Sequence, residues 1–254
     1  MKIVVTVKQV PDPNVSPGLD PDNTVARERE SVLDPGDECG IEIALQLKEA
    51  AGTGEVVLCS MGPGSARDAI RKGLSMGADR GILVTDPELE GADALLTART
   101  LAAAIEPESP DLVITATESY DGSTGVVPPM LAELLHLPQL TFATSLQAQD
   151  GHLTVHRQTA DGYQVVEADT PALVSVTGAI AEPRYASLKG IMAARRKEVK
   201  ELSFAGLGIE KGERVEEILS VADAEERSAG EIVEDDGTSG VDRILAVLAQ
   251  ARVI

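Results

Sequence analysis

Short apolar runs alternate along the first half of the chain with longer segments of mixed polarity. The runs cover residues 3–7, 56–59, 81–84 and 112–116, and turn-forming or charged residues bound each of them. Runs of this length, rich in Val, Ile and Leu, are typical of strands buried on both faces. The pattern therefore predicts four strands of a mainly parallel sheet.

The segments between these runs carry apolar residues at the spacing of an α-helix. Residues 37–50, 65–76 and 91–105 follow this period, and Gly52 and Gly77 follow the ends of the first two. Strands and helices that alternate in this way indicate parallel β-α-β units with right-handed crossovers. We therefore predict an α/β fold, a Rossmann-like and mainly parallel sheet with flanking helices.

Residues 142–177 change to short stretches in which apolar and polar residues alternate. Asp-Gly pairs at 150–151 and 161–162 interrupt these stretches, and such pairs favour tight hairpin turns. We predict an antiparallel hairpin addition to the sheet, which ends in a strand at residues 172–176.

The chain becomes poor in large apolar residues after residue 200. Residues 222–239 are acidic and contain Gly and Ser, which is typical of a solvated linker, whereas residues 241–254 regain helical spacing. A lone amphipathic helix has to bury its apolar face on its own domain or on a partner. We predict an α/β domain at residues 1–200, followed at 201–254 by a linker and a C-terminal helical arm.

The charge balance is strongly acidic, with 42 Asp and Glu against 22 Lys and Arg and a formal net charge of −20. Nucleic-acid binding needs a positive footprint and aromatic rings, and the chain has only three Tyr and two Phe, so the composition excludes a general nucleic-acid role. Within residues 184–200 the sign reverses, with six basic residues against one acid, Glu198. This local reversal predicts a docking surface.

Cys39 and Cys59 have neither a metal-ligand spacing nor the pattern of a disulfide framework, which predicts reduced thiols. The first ten residues lack the apolar run and cleavage site of a signal peptide, and the apolar runs are too short to cross a membrane. We therefore expect a cytoplasmic protein without direct membrane insertion.

Signatures of covalent catalysis are missing from the sequence. The P-loop pattern, a complete dinucleotide fingerprint and a nucleophile paired with histidine do not occur. His136, His152 and His156 have no metal-ligand spacing, and His152 and His156, which lie in the predicted hairpin, are interpreted as surface residues. We expect a protein that performs no bond chemistry of its own and binds no metal.

Three predicted strands lead into loops at residues 8–12, 60–64 and 117–125, at the edge where open α/β sheets bind ligands. Proline at 128 and 129 predicts that a helix begins there, which leaves the preceding amides as donors for an anion. In the alternative interpretation, polar residues of the third loop, Asp121, Ser123 and Thr124, only cap this helix. Both interpretations stay open at this point.

Several stretches in the right order resemble the β subunit of the electron-transferring flavoproteins across about residues 1–210. The matching stretches read V-K-Q-V-P-D at 7–12, D-P at 34–35, E-I-A-L-Q-L-K at 42–48, G-P at 62–63, A-I-R-K-G-L-S-M-G-A-D-R at 69–80, S-Y-D-G-S-T-G at 119–125, L-P-Q-L-T-F at 137–142 and E-P-R-Y-A-S-L-K-G-I-M at 182–192.

The resemblance implies the β subunit of a heterodimer, with FAD held mainly by the α subunit and an adenine nucleotide buried in this chain. That nucleotide is AMP in simple carriers and a second FAD in bifurcating ones. Such carriers relay electrons from flavin-dependent dehydrogenases, such as the acyl-CoA dehydrogenases of fatty acid β-oxidation, to a quinone oxidoreductase or another acceptor. The resemblance thus implies an electron-carrier subunit rather than an enzyme, with its helical arm packed on the α subunit.

Two sets of site residues follow from the resemblance. Nucleotide contacts are implied at Thr6, Lys8, Asp34, Pro35, Gly36, Asp37, Met61, Gly62, Asp121, Gly122, Ser123, Thr124, Gly125, Val126 and Val127. A recognition loop at about residues 182–200 places one leucine, here Leu188, in a hydrophobic pocket of the dehydrogenase. Its implied partner contacts are Arg184, Tyr185, Leu188, Lys189, Ile191, Met192 and Arg195.

The sequence departs from the family's common pattern at residues 34–37, at 122–123 and at Glu118, where glutamine is frequent. These departures leave AMP, FAD and an empty site open for this chain, and with them the simple and bifurcating types. A further alternative is a stand-alone nucleotide-binding enzyme or sensor. It would need a basic catalytic signature beside the site, and Lys8 is the only basic residue in those strand-end loops.

Overall fold

The computed structural model describes residues 1–15, 18–19, 25–26, 30–213, 215, 218–221, 230, 232, 237 and 239–254. They divide into two units, Met1–Ile218 and Leu219–Ile254. The first unit holds the sheet and its flanking helices, and the second holds one helix.

The strands of the first unit form a large mixed sheet and a small two-stranded one. In chain order they are β1 (Lys2–Thr6), β2 (Gln9–Pro11), β3 (Ser31–Leu33), β4 (Glu55–Met61), β5 (Arg80–Val84), β6 (Leu112–Ala116), β7 (Gln139–Gln149), β8 (His152–Thr159), β9 (Gly162–Asp169), β10 (Ala172–Val176) and β11 (Val199–Leu202). The large sheet has the order β11-β5-β4-β1-β6-β10-β7-β8-β9, and β2 pairs with β3.

The first seven strands of that order run parallel, and β8 and β9 extend the sheet as antiparallel hairpins. The central strands pair in register, with Val5 of β1 opposite both Leu58 of β4 and Ile114 of β6. Because these strands are parallel and in register, their carboxyl ends meet at one edge of the sheet.

Helices cover both faces of this sheet. They are α1 (Pro35–Ala51), α2 (Arg67–Met76), α3 (Ala94–Ile105), α4 (Val127–Leu134) and the short α5 (Leu188–Ala194). Alternate residues of β1 serve the two faces: Ile3 and Val5 pack in the core with α1 and α2, whereas Val4 packs in the core with α3 and α4. This two-sided burial explains why the strands read as continuous apolar runs rather than as alternating ones.

The predicted α/β fold with a mainly parallel sheet and an antiparallel hairpin addition is confirmed. All four apolar runs form strands, and both Asp-Gly pairs lie at hairpin turns of β7, β8 and β9. One detail of the prediction was wrong, because residues 172–176 do not end the antiparallel addition. Strand β10 lies between β6 and β7 and runs parallel to both. Every residue of β10 is buried, as befits an inner parallel strand.

The first unit continues past residue 200, where the sequence predicts a domain boundary. Strand β11 crosses that position and pairs with β5, and Phe204 beyond it belongs to the core of the first unit. Much of the predicted linker at 222–239 lies outside the described residues. In the second unit, helix α6 (Ser239–Gln250) forms where helical spacing predicts a helix. Its apolar side chains Val241, Ile244, Leu245 and Val247 are exposed.

Among the described residues, no helix combines the length and the apolar character that a membrane span requires.

Candidate functional site

The strand-end loops and the amino end of α1 come together at the carboxyl edge of the sheet. Thr6 and Met61 are the last residues of β1 and β4, and the loop after β6 leads through residues 117–126 into α4. Asp34 stands directly before α1, with Pro35 as its first residue. Residues that are far apart in the sequence therefore meet at this edge, where open α/β sheets bind ligands.

Lys8 links three of these segments. Its Nζ lies 2.6 Å from Asp121 Oδ1 and 3.1 Å from Ser119 Oγ, both in the loop after β6. Its backbone amide donates to Asp37 Oδ2 at 2.7 Å, in the first turn of α1. The side chain of Asp121 is 2% exposed, so this ion pair is screened little by water on the aspartate side.

Asp34 fixes the amino end of α1 to the loop after β6. One carboxylate oxygen accepts from the Gly36 amide at 2.8 Å and caps the helix, while the other accepts from the Tyr120 amide at 2.7 Å. The Asp34 amide in turn donates to the carbonyl of Lys8 at 3.0 Å. A capping aspartate usually serves one helix, whereas this one also holds a second loop.

Asp34 and Asp37 are both buried, and both titrate above the usual range. Burial raises the pKa of Asp34, although hydrogen bonds from the Tyr120 and Gly36 amides oppose the shift. Burial also raises the pKa of Asp37 well above its ordinary value, and the nearby Asp34 adds to this shift. Because carboxyls with raised pKa values hold their protons more tightly, this edge repels an anion less than two exposed aspartates would.

The loop before α4 presents backbone donors. Met130 donates to the Val126 carbonyl at the start of the helix, and no side chain caps its amino end. Gly125 has a φ of 64°, in the left-handed region that glycine tolerates best. In the part of the chain that the structure describes, the backbone N–H groups of Thr124 and Gly125 donate to no protein acceptor. Of the two interpretations left open by the sequence, the geometry favours an anion site over a capped helix.

Residues 182–200 form a second surface, centred on α5. Ser187 caps this helix by accepting from the Gly190 amide at 3.0 Å. Leu188 is the first residue of the helix and is 76% exposed. Tyr185, Ile191 and Met192 are exposed beside it. Four large apolar side chains thus face outward within one short segment, which is unusual for a surface that only meets water.

Only some basic residues of this segment face outward. Lys189, Arg195 and Arg196 are exposed. Arg184 instead binds Glu42 and Glu49 of α1, and Lys197 Nζ donates to the Leu74 and Ala78 carbonyls at the end of α2. Burial lowers the pKa of Lys197. Part of the positive charge predicted for docking therefore holds the segment onto the domain.

The comparisons with known proteins agree with one another. The family described as "Electron transfer flavoprotein domain" matches residues 22–207. "Electron transfer flavoprotein subunit beta" of Mycobacterium leprae is 40% identical and the alignment covers 98% of each chain. The protein of the same name from Megasphaera elsdenii is 33% identical over the whole of both chains.

The chain belongs to the electron transfer flavoprotein β-subunit family.

A third relative of that name, from Bradyrhizobium diazoefficiens, is 38% identical across 92% of this chain and 94% of its own. The resemblance derived from the sequence motifs is thereby confirmed, and with it a role in flavoprotein electron transfer. The individual nucleotide and partner contacts implied by that resemblance stay predictions.

The sequence did not reveal which residues of this β-subunit family member hold its two surfaces in place. Ser119 and the Tyr120 amide connect the loops at the carboxyl edge of the sheet, and Glu42 and Glu49 bind Arg184. A signal for the second pair exists, because residues seven apart lie on one face of a helix. Two acids on one face of α1, in a chain with one basic segment, indicate an internal ion pair before any partner is invoked.

Proposed function

We propose that this chain is the β subunit of a heterodimeric electron carrier. Its α subunit would hold most of the FAD, and the carrier would relay electrons from flavin-dependent dehydrogenases, such as acyl-CoA dehydrogenases, to a quinone oxidoreductase. The similarity to β subunits over nearly the whole of both chains carries this proposal. The exposed apolar side chains of α6 support an arm that packs on the α subunit.

The nucleotide proposed for the strand-end site is AMP. The donors at this edge are mainly the backbone amides of Thr124 and Gly125, since the charge of Lys8 is already matched by Asp121. Amides at the amino end of a single short helix suit one phosphate group better than a longer polyphosphate. Asp34, Asp37, Met61 and Gly62 would line the rest of the site. Lys8 would hold the loop rather than supply the phosphate charge.

The test is to produce the chain with its α subunit, extract the bound nucleotides and identify them by mass spectrometry. One FAD and one AMP per heterodimer are expected. Two FAD and no AMP would assign the bifurcating type, and FAD alone would refute a nucleotide in this chain. Lys8→Met is expected to lower AMP content several-fold, because the loop after β6 loses the ion pair between Lys8 and Asp121. Lys2→Met, at the other end of β1, should leave AMP content unchanged.

The surface around α5 is proposed to dock the dehydrogenase. Leu188, flanked by Ile191 and Met192, would enter a hydrophobic pocket, and the exposed Lys189 and Arg195 would orient an acidic rim around that pocket. A single buried leucine contributes about 1.5–3 kcal/mol. A small apolar anchor within a charged collar suits a carrier that must dissociate after each electron transfer.

Leu188→Ala is expected to raise the dehydrogenase's KM for the carrier roughly tenfold, since it removes most of the anchor's apolar surface. FAD and AMP content should not change. The rate of dehydrogenase-dependent carrier reduction, measured over a range of carrier concentrations, gives KM and kcat. Leu134→Ala removes a partly exposed leucine outside this segment and is the matched control. An unaltered KM in Leu188→Ala would remove the anchor role.

A further inference from the structure

The docking segment is anchored to the body of the domain by Arg184. The guanidinium donates from Nε to Glu42 Oε2 at 2.7 Å and from Nη2 to Glu42 Oε1 at 3.0 Å. The Arg184 backbone amide also reaches Glu42 Oε2, at 3.2 Å. Glu49 binds the outer side of the same guanidinium. Both the backbone and the side chain of Arg184 are therefore fixed to α1, four residues before Leu188.

Glu42 is the buried half of this contact. Its side chain is 6% exposed, against 60% for Glu49, and its remaining contact is a hydrogen bond from Gln46 Nε2 at 2.8 Å. Burial alone would raise the pKa of Glu42, but the hydrogen bonds from Arg184 and Gln46, together with the charge of Arg184, outweigh it and lower the pKa. A buried carboxylate with two-point contact to arginine is geometrically specific, so it fixes the position of the chain that carries the arginine.

The other end of the segment is held as firmly. Arg71 of α2 donates to the carbonyls of Ala194 and Lys197, and Lys197 reaches back to the end of α2. Between the two anchors, α5 packs so closely on α2 that a Cβ at Gly190 would lie 2.3 Å from the Ser75 carbonyl oxygen. The apolar side chains of α5 are consequently carried by a fixed backbone rather than by a mobile loop.

We infer that Glu42 is a positioning residue of the docking surface: through Arg184 it fixes the backbone that presents Leu188 to the dehydrogenase. This inference rests on the docking role proposed above. Glu42 itself is buried and lies on α1, so it cannot touch a partner seated on α5. Its contribution to docking has to pass through the segment that it holds, and a segment already fixed in place loses less conformational entropy when the partner binds.

The test is a double-mutant cycle on the heterodimer, with wild type, Glu42→Gln, Leu188→Ala and the double variant. Glutamine keeps the shape of the side chain but lacks the charge and turns an amide group toward the guanidinium. Glu42→Gln is expected to raise the KM for the carrier about three- to tenfold and leave kcat within about twofold, because electron transfer in the formed complex is unaffected. In the Leu188→Ala background, Glu42→Gln should raise the KM by less than a further factor of about two, since the leucine that Glu42 positions is gone.

Two controls separate positioning from general destabilisation. Glu108→Gln breaks a similar arginine contact, that of Arg80, on a different set of elements. It should lower Tm by an amount comparable to Glu42→Gln and leave KM unchanged. Arg184→Gln should reproduce the KM change of Glu42→Gln from the other side of the ion pair.

The outcomes are distinct. If Leu188→Ala raises KM and Glu42→Gln does not, the positioning role is wrong while the docking proposal stands. If the two effects multiply, or if Glu108→Gln raises KM equally, Glu42 does not act through the anchor. If Leu188→Ala itself has no effect, the docking proposal fails, and the positioning role fails with it.

Discussion

At the scale of single residues, the proposed nucleotide site contains carboxyl groups whose burial is unfavourable. Asp37 is buried beside Asp34, and burial raises its pKa well above the ordinary value of 3.8. The folded chain thus binds this proton more tightly than the unfolded chain does. The corresponding stability is fully present below the unfolded pKa and is lost as the pH rises through the raised folded value. Natural sites keep such strained groups where they serve binding.

Asp37→Asn is therefore expected to stabilise the protein at neutral pH. Asparagine can still accept the Lys8 amide through its oxygen, but it has no charge to bury. The free energy of unfolding at pH 7 should rise by about 1 kcal/mol, or roughly 2–4 °C in Tm. The gain should shrink as the pH falls toward 4, because the buried wild-type carboxyl then takes up its proton and no charge is left to bury.

Urea unfolding of both proteins between pH 4 and pH 8 measures this difference. Asp34→Asn is not an equivalent change, because Asp34 uses both oxygens as acceptors and would lose one of them. If the free energy of unfolding of Asp37→Asn exceeds that of wild type by the same amount at every pH in this range, Asp37 is ionised throughout the range.

At the scale of elements, the packing of α5 on α2 depends on a residue without a side chain. A Cβ at Gly190 would meet the backbone of Ser75, which cannot move without shifting α2. Gly190→Ala is expected to lower stability by about 1–3 kcal/mol, although alanine favours helices, because steric overlap outweighs helix propensity here. It should also raise the KM for the carrier, since α5 would be displaced.

Thermal unfolding and the dehydrogenase assay test this expectation together. Gly178→Ala is the matched control, because a Cβ there meets nothing within 4 Å. A Gly190→Ala protein with unchanged Tm and unchanged KM would mean that α5 does not need its close approach to α2.

Elements also show how far a sequence can predict a fold. Buried strands and long amphipathic helices follow from local patterns, and the Asp-Gly turns follow from backbone chemistry. The direction of β10 did not follow, because it depends on which strands flank it, and those neighbours come from distant parts of the chain. Strand β11 was missed as well, since V-K-E-L at the sheet edge is short and only half-buried.

At the scale of the whole molecule, the acidic chain contains a segment at residues 184–200 in which basic residues predominate. The chain has a net charge of −20, yet its basic segment divides into cations that face solvent and cations that hold the segment. Composition predicted the first role and could not reveal the second. The sequence alone does not distinguish Arg184 and Lys197 from the exposed Arg195. The fold shows that Arg184 binds α1 and that Lys197 binds α2.

The candidate nucleotide site shows the same division. Its loops could be found in advance, because ligand sites of open α/β sheets lie where strands end. The resemblance to a known family supplied the residue names. What neither source revealed is that Asp34 and Lys8 bind the loops to one another, because those bonds join residues 29 to 113 positions apart.

Helix α1 takes part in both surfaces. Its first turn carries Asp37 at the proposed nucleotide site, and Glu49 lies about 18 Å farther along the axis, where it binds Arg184. Backbone hydrogen bonds within α1 connect its first turn to its last, so a tilt imposed at its amino end would also displace the contacts of Glu42 and Glu49 with Arg184. The proposed nucleotide and docking sites would thereby depend on the position of the same helix.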